Sequence, residues 1–264
     1  MPELAEVEYF RKRWDPGLGE AITGVQLHAE KRVFRGSDPR ALKRRIVRQK
    51  LLRSVARGKQ MLFHLSNNNW IGIHLGMSGQ LRVEPPGFGA EKHDHLVLEQ
   101  KKRALVFRDA RQFGRVRFHH GETPPDWWQA SSPEINSREW TKLALTAFLK
   151  RHRRAPIKAV LLSQQGFPGI GNWMADEILW RARIAPRRRA GKLTASHLNA
   201  LFRSTRFVVR ASLKTIGENS TDPPRSWLLH ERWKAGGKCP RHAITLKRAT
   251  IGGRTTAWCP RCQK

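Results

Sequence analysis

The sequence predicts an α+β protein of several domains, and three observations carry that prediction. Residues 20–120 contain short runs rich in β-branched and large apolar residues, bounded by Gly, Asn, Pro or charged turns, which is typical of strands. After residue 133 the apolar residues recur at helical spacing. Near the C-terminus, Cys and His residues stand in two pairs whose spacing is typical of a zinc-bound hairpin.

Each element follows from local signals. The clearest helix begins at a Thr194 cap and ends near Gly217, since it has start and stop signals at both ends of a helical apolar pattern. The predicted strands are residues 22–28, 46–55, 61–65, 70–75, 81–83, 96–99 and 104–108.

The domain boundaries follow the changes of pattern. Residues 1–120 form the predicted first domain, which starts with a helix and continues in strands. Residues 121–133, rich in Pro and Trp, are the predicted linker. Residues 134–225 form the helical domain, and residues 226–264 form the zinc finger.

The charge balance points to a polyanionic partner. Lys and Arg number 51 against 21 Asp and Glu, a formal net charge of +30, which raises the affinity for nucleic acid. A ribosomal-type protein and a loose polyanion binder fit the same charge. The sequence contains no apolar run long enough to span a membrane and no signal-peptide pattern, so we expect an intracellular protein without a membrane partner. Three cysteines crowded near one end of such a chain indicate metal binding.

The N-terminus carries candidate chemistry. If Met1 is removed, Pro2 offers a secondary amine, and a terminal amine of pKa about 7.7–8.0 is partly unprotonated near neutrality. Such an amine can attack an aldehydic sugar carbon to form an iminium, and Glu3 could move the protons that ring opening and hydrolysis require. The alternative is an ordinary helix start, with Pro2 at the first helical position and Leu4 and Val7 facing the core.

The paired ligands at the C-terminus predict one structural zinc ion. Cys239 and His242 are separated by two residues, as are Cys259 and Cys262, and a hairpin's length of chain lies between the pairs. A zinc-pinned hairpin would present Arg254 to phosphate. The alternative is a pair of buried thiols beside an incidental surface histidine.

A glycine-rich segment, residues 166–172, precedes a helical pattern and predicts an anion cradle. Small residues expose backbone N–H groups at a helix start, and Asn172 could cap the helix or donate directly to a phosphate. Nearby Arg153 and Lys158 favour this interpretation, while a plain turn is the alternative.

These motifs, taken in order, resemble the formamidopyrimidine-DNA glycosylase and endonuclease VIII family over essentially the whole chain. The resemblance rests on the N-terminal Pro2-Glu3-Leu4, on Arg57-Gly58-Lys59-Gln60, His74-Leu75-Gly76-Met77-Ser78-Gly79, Lys92-His93-Asp94-His95, Asp109-Ala110-Arg111-Gln112-Phe113-Gly114 and Gly169-Ile170-Gly171-Asn172, and on the terminal four-ligand finger.

The resemblance implies an N-terminal β-sandwich, a helical domain with a helix-two-turn-helix element, and a zinc finger, with double-stranded DNA bound in the cleft between the two lobes. It implies a bacterial protein of the cytoplasm or nucleoid that acts as a monomer on damaged bases and abasic sites. In it, Pro2 is the Schiff-base nucleophile, Glu3 the general acid and base, and Lys59 the cation that assists base release and strand cleavage.

The same resemblance implies the DNA contacts. Met77, Arg111 and Phe113 would fill the gap left by a flipped nucleotide, although core packing is the alternative for Met77 and Phe113. The phosphates that flank the flipped nucleotide would be bound by Lys158, Asn172 and Arg254, of which Arg254 would also be a catalytic residue. Further contacts to the DNA would come from His93 and Arg153.

Three departures from the family pattern bear on specificity. Ala5 stands where a second proline is usual, and His242 where a cysteine is usual. Residues 217–224 do not match the loop that caps oxidised guanine, and this difference, with residues 227–230, resembles members that act on oxidised pyrimidines or unusual lesions. The N-terminus instead resembles the guanine-specific branch, so the substrate stays open. The alternative function is a non-enzymatic zinc-finger protein that binds DNA on the same fold; Pro2, Glu3 and Lys59 together favour the enzyme.

Overall fold

The computed structural model describes residues 1–264, and the chain divides into two compact units. The first unit comprises Met1–Pro2 and Glu6–Ser131, and the second comprises Glu3–Ala5 and Ser132–Lys264. The helices are α1 (Leu4–Lys12), α2 (Pro39–Ile46), α3 (Asp126–Gln129), α4 (Lys142–Arg151), α5 (Ile157–Leu161), α6 (Asn172–Ala182) and α7 (Ala195–Ser212). The strands are β1 (Gly24–Leu27), β2 (Leu51–Arg57), β3 (Gln60–Leu65), β4 (Asn69–His74), β5 (Gln80–Glu84), β6 (Asp94–Glu99), β7 (Ala104–Arg108), β8 (Arg115–His120), β9 (Lys247–Ile251) and β10 (Arg254–Trp258).

The first unit contains two four-stranded antiparallel sheets, in the orders β1-β6-β7-β5 and β2-β3-β4-β8. One apolar cluster contains buried side chains from both sheets, including Phe63 and Ile73 of the second sheet and Leu98 and Phe107 of the first. Alternating strand residues fill a shared core in this way when two sheets pack face to face. The β-sandwich that the resemblance implied is confirmed.

Two elements of this unit differ from the sequence prediction. The segment ending at Ile46 is the helix α2, which Asp38 caps by accepting hydrogen bonds from the N–H groups of Arg40 and Ala41. The predicted strand 46–55 therefore begins too early, and β2 begins at Leu51. Strand β8 was not predicted, because Val116 is the one fully buried side chain in a run of arginines and histidines.

The second unit is built on α6, which is buried on almost all sides and packs against α7. Helix α7 begins as predicted at a Thr194 cap, where the Thr194 hydroxyl and the His197 ring form a reciprocal capping box. It continues as a π-helix over Leu213–Glu218. The helical region that the sequence pattern predicts after residue 133 is confirmed.

The second unit ends in the antiparallel hairpin β9–β10. A two-residue turn of Gly252 and Gly253 joins the strands, both with positive φ (60° and 70°), as tight hairpins with a right-handed strand twist require. The hairpin shares a small apolar core with Trp180 of α6 and Leu228. No helix of the chain is long and apolar enough to cross a membrane.

Candidate active site and metal centre

The N-terminal segment is organised by the carboxylate of Glu3. Helix α1 begins at Leu4, so Pro2 lies two residues before the helix and not at its first position, while Leu4 and Val7 are buried as an ordinary helix start would have them. Glu3 is buried, and its carboxylate accepts hydrogen bonds from the N–H groups of Gly171 (2.9 Å), Trp173 (2.9 Å) and Met174 (3.1 Å). These donors form the N-terminus of α6, whose dipole favours an anion at that end. An acid adjacent to Pro2 in the chain is thus held at three points.

The turn before α6 contains two glycines, and each position requires glycine for a different physical reason. Gly169 has φ of +85°, and its carbonyl accepts a hydrogen bond from the N–H of Leu4 at 3.0 Å. A Cβ on Gly171 would collide with the side chain of Glu3. The anion in the predicted cradle is therefore the Glu3 carboxylate. Gly171 is the N-cap residue, and Asn172 instead donates its side-chain N–H to the carbonyl of Thr255 at 2.9 Å.

Lys59 lies in the two-residue turn between β2 and β3, after Gly58, which has φ of +59°. The residue is only 9% exposed. The neighbouring His74 has its pKa lowered to about 4, first by burial and then by the charge of Lys59 and nearby arginines. The His74 ring is therefore neutral at pH 7, and its Nδ1 accepts the N–H of Gly76 at 3.0 Å. A neutral ring beside Lys59 adds no second charge to the turn.

Met77, Arg111 and Phe113 lie on two loops that a single buried residue, Asp109, holds. The Asp109 carboxylate accepts the Ser78 hydroxyl (2.7 Å), the N–H of Gly114 (2.7 Å) and the N–H of Arg111 (3.3 Å).

The side chains on these loops point outward. Met77 is 39% exposed and Phe113 is 40% exposed, so the core-packing alternative for both is wrong. The guanidinium of Arg111 lies 4.8 Å from the centre of the Phe113 ring, a cation–π contact. An apolar wedge, an aromatic ring and a cation are thus exposed on loops fixed by a common carboxylate.

The residues predicted to contact DNA differ in how exposed they are. Arg254 and Arg153 are exposed, and Asn172 and His93 are half-buried. Lys158 is fully buried, and its ammonium donates to the Asp176 carboxylate and to the carbonyl of Asn172, both at 2.6 Å. Burial lowers the pKa of Lys158, although the charge of Asp176 opposes that change.

The predicted metal ligands converge. The ligand atoms of Cys239, His242, Cys259 and Cys262 all lie within 4.8 Å of one another, and the His242 Nδ1 is 3.6 Å from both the Cys239 and the Cys259 sulfur. Three thiols and one imidazole at such distances fit a tetrahedral metal ion. The Cys239 sulfur also accepts the indole N–H of Trp180 at 3.3 Å, which orients this ligand.

Sequence reasoning assigned no role to three buried charged residues that organise these sites: Asp109, Asp176 and Arg232. Asp109 ends a buried strand and Asp176 lies in an apolar helix, and a charged residue in an apolar run is the available signal. No such signal marks Arg232, because its surroundings in the sequence are polar and basic.

Comparison with known proteins gives consistent matches. Residues 1–116 match the model of the formamidopyrimidine-DNA glycosylase N-terminal domain, and residues 132–223 match that of the formamidopyrimidine-DNA glycosylase H2TH domain. The chain is 33% identical over 273 residues to the formamidopyrimidine-DNA glycosylase of Carboxydothermus hydrogenoformans, covering 100% of both chains. It is 34% identical over 275 residues to that of Chloroflexus aurantiacus, covering 100% of this chain and 98% of the relative.

Solved structures of the Lactococcus lactis formamidopyrimidine-DNA glycosylase (Fpg) are similar to this protein along the whole chain. The complex with DNA containing an abasic site has a TM-score of 0.88 at 26% identity, with 99% of each chain covered. The complex with DNA containing an oxidised pyrimidine has the same score and identity, with 100% of each chain covered.

Proposed function

Since the chain belongs to the formamidopyrimidine-DNA glycosylase family, and is thus a DNA glycosylase of base excision repair with abasic-site lyase activity, we propose that its nucleophile is the amine of Pro2. The observation that carries the proposal is the fixed carboxylate of Glu3, one residue from that amine and anchored by three N–H donors. Removal of Met1, which is 48% exposed, frees the amine. The family membership favours the enzyme over the non-enzymatic alternative.

The proposed chemistry balances at each step. The Pro2 nitrogen forms a bond to the sugar C1′ while the bond from C1′ to the base breaks, and the proton that the amine loses leaves with the base. Glu3 supplies the proton that opens the sugar ring, and the product is an iminium. Loss of a proton from the adjacent sugar carbon then breaks the bond to the 3′ phosphate, and water hydrolyses the iminium. Lys59 stabilises the negative charge that develops on the departing groups.

The proposed substrate is double-stranded DNA, which suits a chain of net charge +30 and an intracellular, nucleoid-associated location. Met77, Arg111 and Phe113 would fill the space that the flipped nucleotide leaves, and their exposure supports this role. Arg254, Asn172, Arg153 and His93 would contact the DNA. Because Lys158 is buried, its charge would attract a DNA phosphate only from a distance, through the side chains that cover it, and not by direct contact.

The cluster of three cysteines and His242 supports one structural zinc ion, since thiolate and imidazole donors in a closed set of four suit that metal. Zinc would tie the two ligand pairs together and fix the hairpin β9–β10. Arg254 begins β10, directly after the hairpin turn.

We further propose that the pocket for the damaged base is open. The protein should therefore excise oxidised pyrimidines and ring-opened or hydantoin-type purines efficiently. Residues 217–224, which would have to cover an oxidised guanine, are tied back onto their own domain. The N–H of Thr221 donates to the carbonyl of Thr215 at 3.0 Å, and the His230 ring is bonded to the carbonyl of Pro223 at 2.8 Å. A segment restrained in this way has little length with which to close over a base.

Borohydride trapping on a panel of lesion-bearing duplexes tests two of these proposals, the Pro2 nucleophile and the open pocket for the damaged base. The wild-type protein should give a covalent adduct that maps to Pro2, and an N-terminal extension that removes the amine should abolish it. Pro2→Gly, which keeps a primary amine, is the matched control and should retain part of the activity. Trapping that survives the extension would move the nucleophile to a lysine, with Lys59 the first to examine.

On the same panel, single-turnover rates should be at least as high for oxidised pyrimidines as for oxidised guanine opposite cytosine. A strong preference for oxidised guanine would contradict the open pocket.

A further inference from the structure

Beneath the N-terminus of α6 lies a buried charged network centred on Asp176. One carboxylate oxygen accepts the ammonium of Lys158 at 2.6 Å. The other accepts two N–H groups of Arg232, at 3.0 and 2.6 Å, and the backbone N–H of Ala257 at 3.1 Å. Asp176 and Lys158 are at most 1% exposed, and Arg232 is 2% exposed.

The network joins two segments that the chain does not connect locally. Arg232 and the side chain of Asn172 both donate to the same carbonyl, that of Thr255 in β10, at 3.3 and 2.9 Å. Lys158 donates to the carbonyl of Asn172 at 2.6 Å. The first residue of α6 and the strand that carries Arg254 are therefore held through one set of buried charges.

The network contains two cations and one carboxylate, and the charge of the nearby Glu3 carboxylate also acts on Lys158. The guanidinium of Arg232 lies 3.8 Å from the centre of the Trp233 ring, and its Nη1 is buried without a hydrogen-bond partner. Buried ion pairs contribute little net stability compared with apolar residues of similar volume, and a role in holding one specific geometry is their better-attested use.

We propose that Arg232, acting through Asp176 and Thr255, is a positioning residue that fixes Asn172 and Arg254 relative to each other for DNA binding. This inference rests on the proposed function, because it takes these two residues as contacts to DNA. Arg232 is only 2% exposed and is not one of the proposed catalytic residues, so its loss should weaken binding and leave the chemical step of bound DNA almost unchanged.

The experiment uses Arg232→Gln in the full-length protein and a duplex that carries a tetrahydrofuran abasic analogue. The dissociation constant should rise by about tenfold or more, while the single-turnover cleavage rate at a natural abasic site under saturating protein changes by less than about threefold. Arg181→Gln is the matched control. It removes the ion pair between Arg181 and Glu177, which is the residue after Asp176 on α6, and neither partner of this ion pair is bonded to β10. This control should bind like the wild type.

A double-mutant cycle separates positioning from simple stability. In an Asn172→Ala/Arg254→Ala background, Arg232→Gln should add little further loss of affinity, because both side chains that it positions are already gone. Full additivity, or an effect no larger than that of Arg181→Gln, would overturn the proposal.

Zinc content and melting temperature are measured for every variant. If the Arg232→Gln protein loses its zinc, Arg232→Lys replaces it in the same double-mutant cycle and distinguishes positioning from stability. It keeps a charge for Asp176 but cannot also reach Thr255, and an intermediate, non-additive loss is expected. Failure of Pro2 trapping in the wild type would reject the proposed function separately from any of these results.

Discussion

Glu3 and Asp109 are two buried carboxylates that use the same kind of contact in different units of the molecule. Each accepts backbone N–H groups from a glycine-containing loop: Glu3 from Gly171 and its neighbours, Asp109 from Gly114 and Arg111. A carboxylate that accepts several such bonds is fully satisfied although it is buried. The two residues nevertheless serve different ends.

The difference lies in what each carboxylate holds. Asp109 binds Ser78 as well, so it joins two loops whose exposed side chains include Met77 and Phe113. Glu3 fixes its own chain segment, and with it the residue that precedes it, to the N-terminus of α6. The same contact therefore organises a surface in one unit and the position of a candidate proton donor in the other. We expect substitutions at the two sites to affect binding and chemistry differently.

The largest effect should come from Glu3→Gln. Base excision should fall by at least about 100-fold, because the amide can neither donate nor accept the proton that base release requires. Cleavage of a preformed abasic site should fall less, since the base has already left. Single-turnover rates on a damaged base and on an abasic site provide the measurement. Equal losses on both substrates would mean that Glu3 acts mainly by holding the N-terminal segment.

Asp109→Asn should act on binding instead. Its amide N–H2 would face either the N–H of Gly114 or the Ser78 hydroxyl, so at least one loop loses a bond and moves. We expect affinity for abasic-site DNA to fall by about tenfold, while affinity for undamaged DNA changes little. Competition binding measures the ratio. Glu99→Gln, which alters a carboxylate of the same unit that bonds Gln26, is the control. An equal loss on both DNAs would contradict a role specific to damage.

The smallest effect concerns a third buried carboxylate, Glu177, which lies within α6 and not at a glycine loop. Burial raises its pKa from 4.5 to about 7, despite the bond from Arg181. Between those two values the folded state holds a proton that the unfolded state lacks, so stability falls as pH rises and levels off above about 7. The free energy of unfolding of the wild type should decline relative to Glu177→Gln by at most about 3 kcal/mol over this range. Denaturant titrations at several pH values measure it, and a parallel pair of pH profiles would contradict the shift.

Much of the candidate site could be predicted from the sequence because its signals are local. The spacing of Cys239, His242, Cys259 and Cys262 identified a cluster that the fold brings together. The Thr194 cap identified the start of α7. Short-range patterns of this kind depend on neighbours in the chain, which the sequence contains directly.

Other features depend on residues far apart in the chain. Gly171 could be recognised as part of a turn, but the reason for it, the side chain of Glu3 lying against it, joins positions 168 residues apart. Likewise, the sequence left core packing open as the alternative for Met77 and Phe113, and the structure, in which the buried Asp109 holds both loops, exposes these two side chains.

The sequence by itself predicted most of the strands and helices, the four candidate metal ligands and, through its ordered motifs, the family with its candidate nucleophile Pro2. Only the tertiary structure decided how the buried charges are used: that Lys158 faces Asp176 beneath the surface, that Arg232 joins α6 to β10, and that the N-terminus of α6 receives Glu3. The physical reason is that a buried charge needs partners with hydrogen-bonding geometry, and those partners come from any part of the chain that the fold brings within about 3 Å.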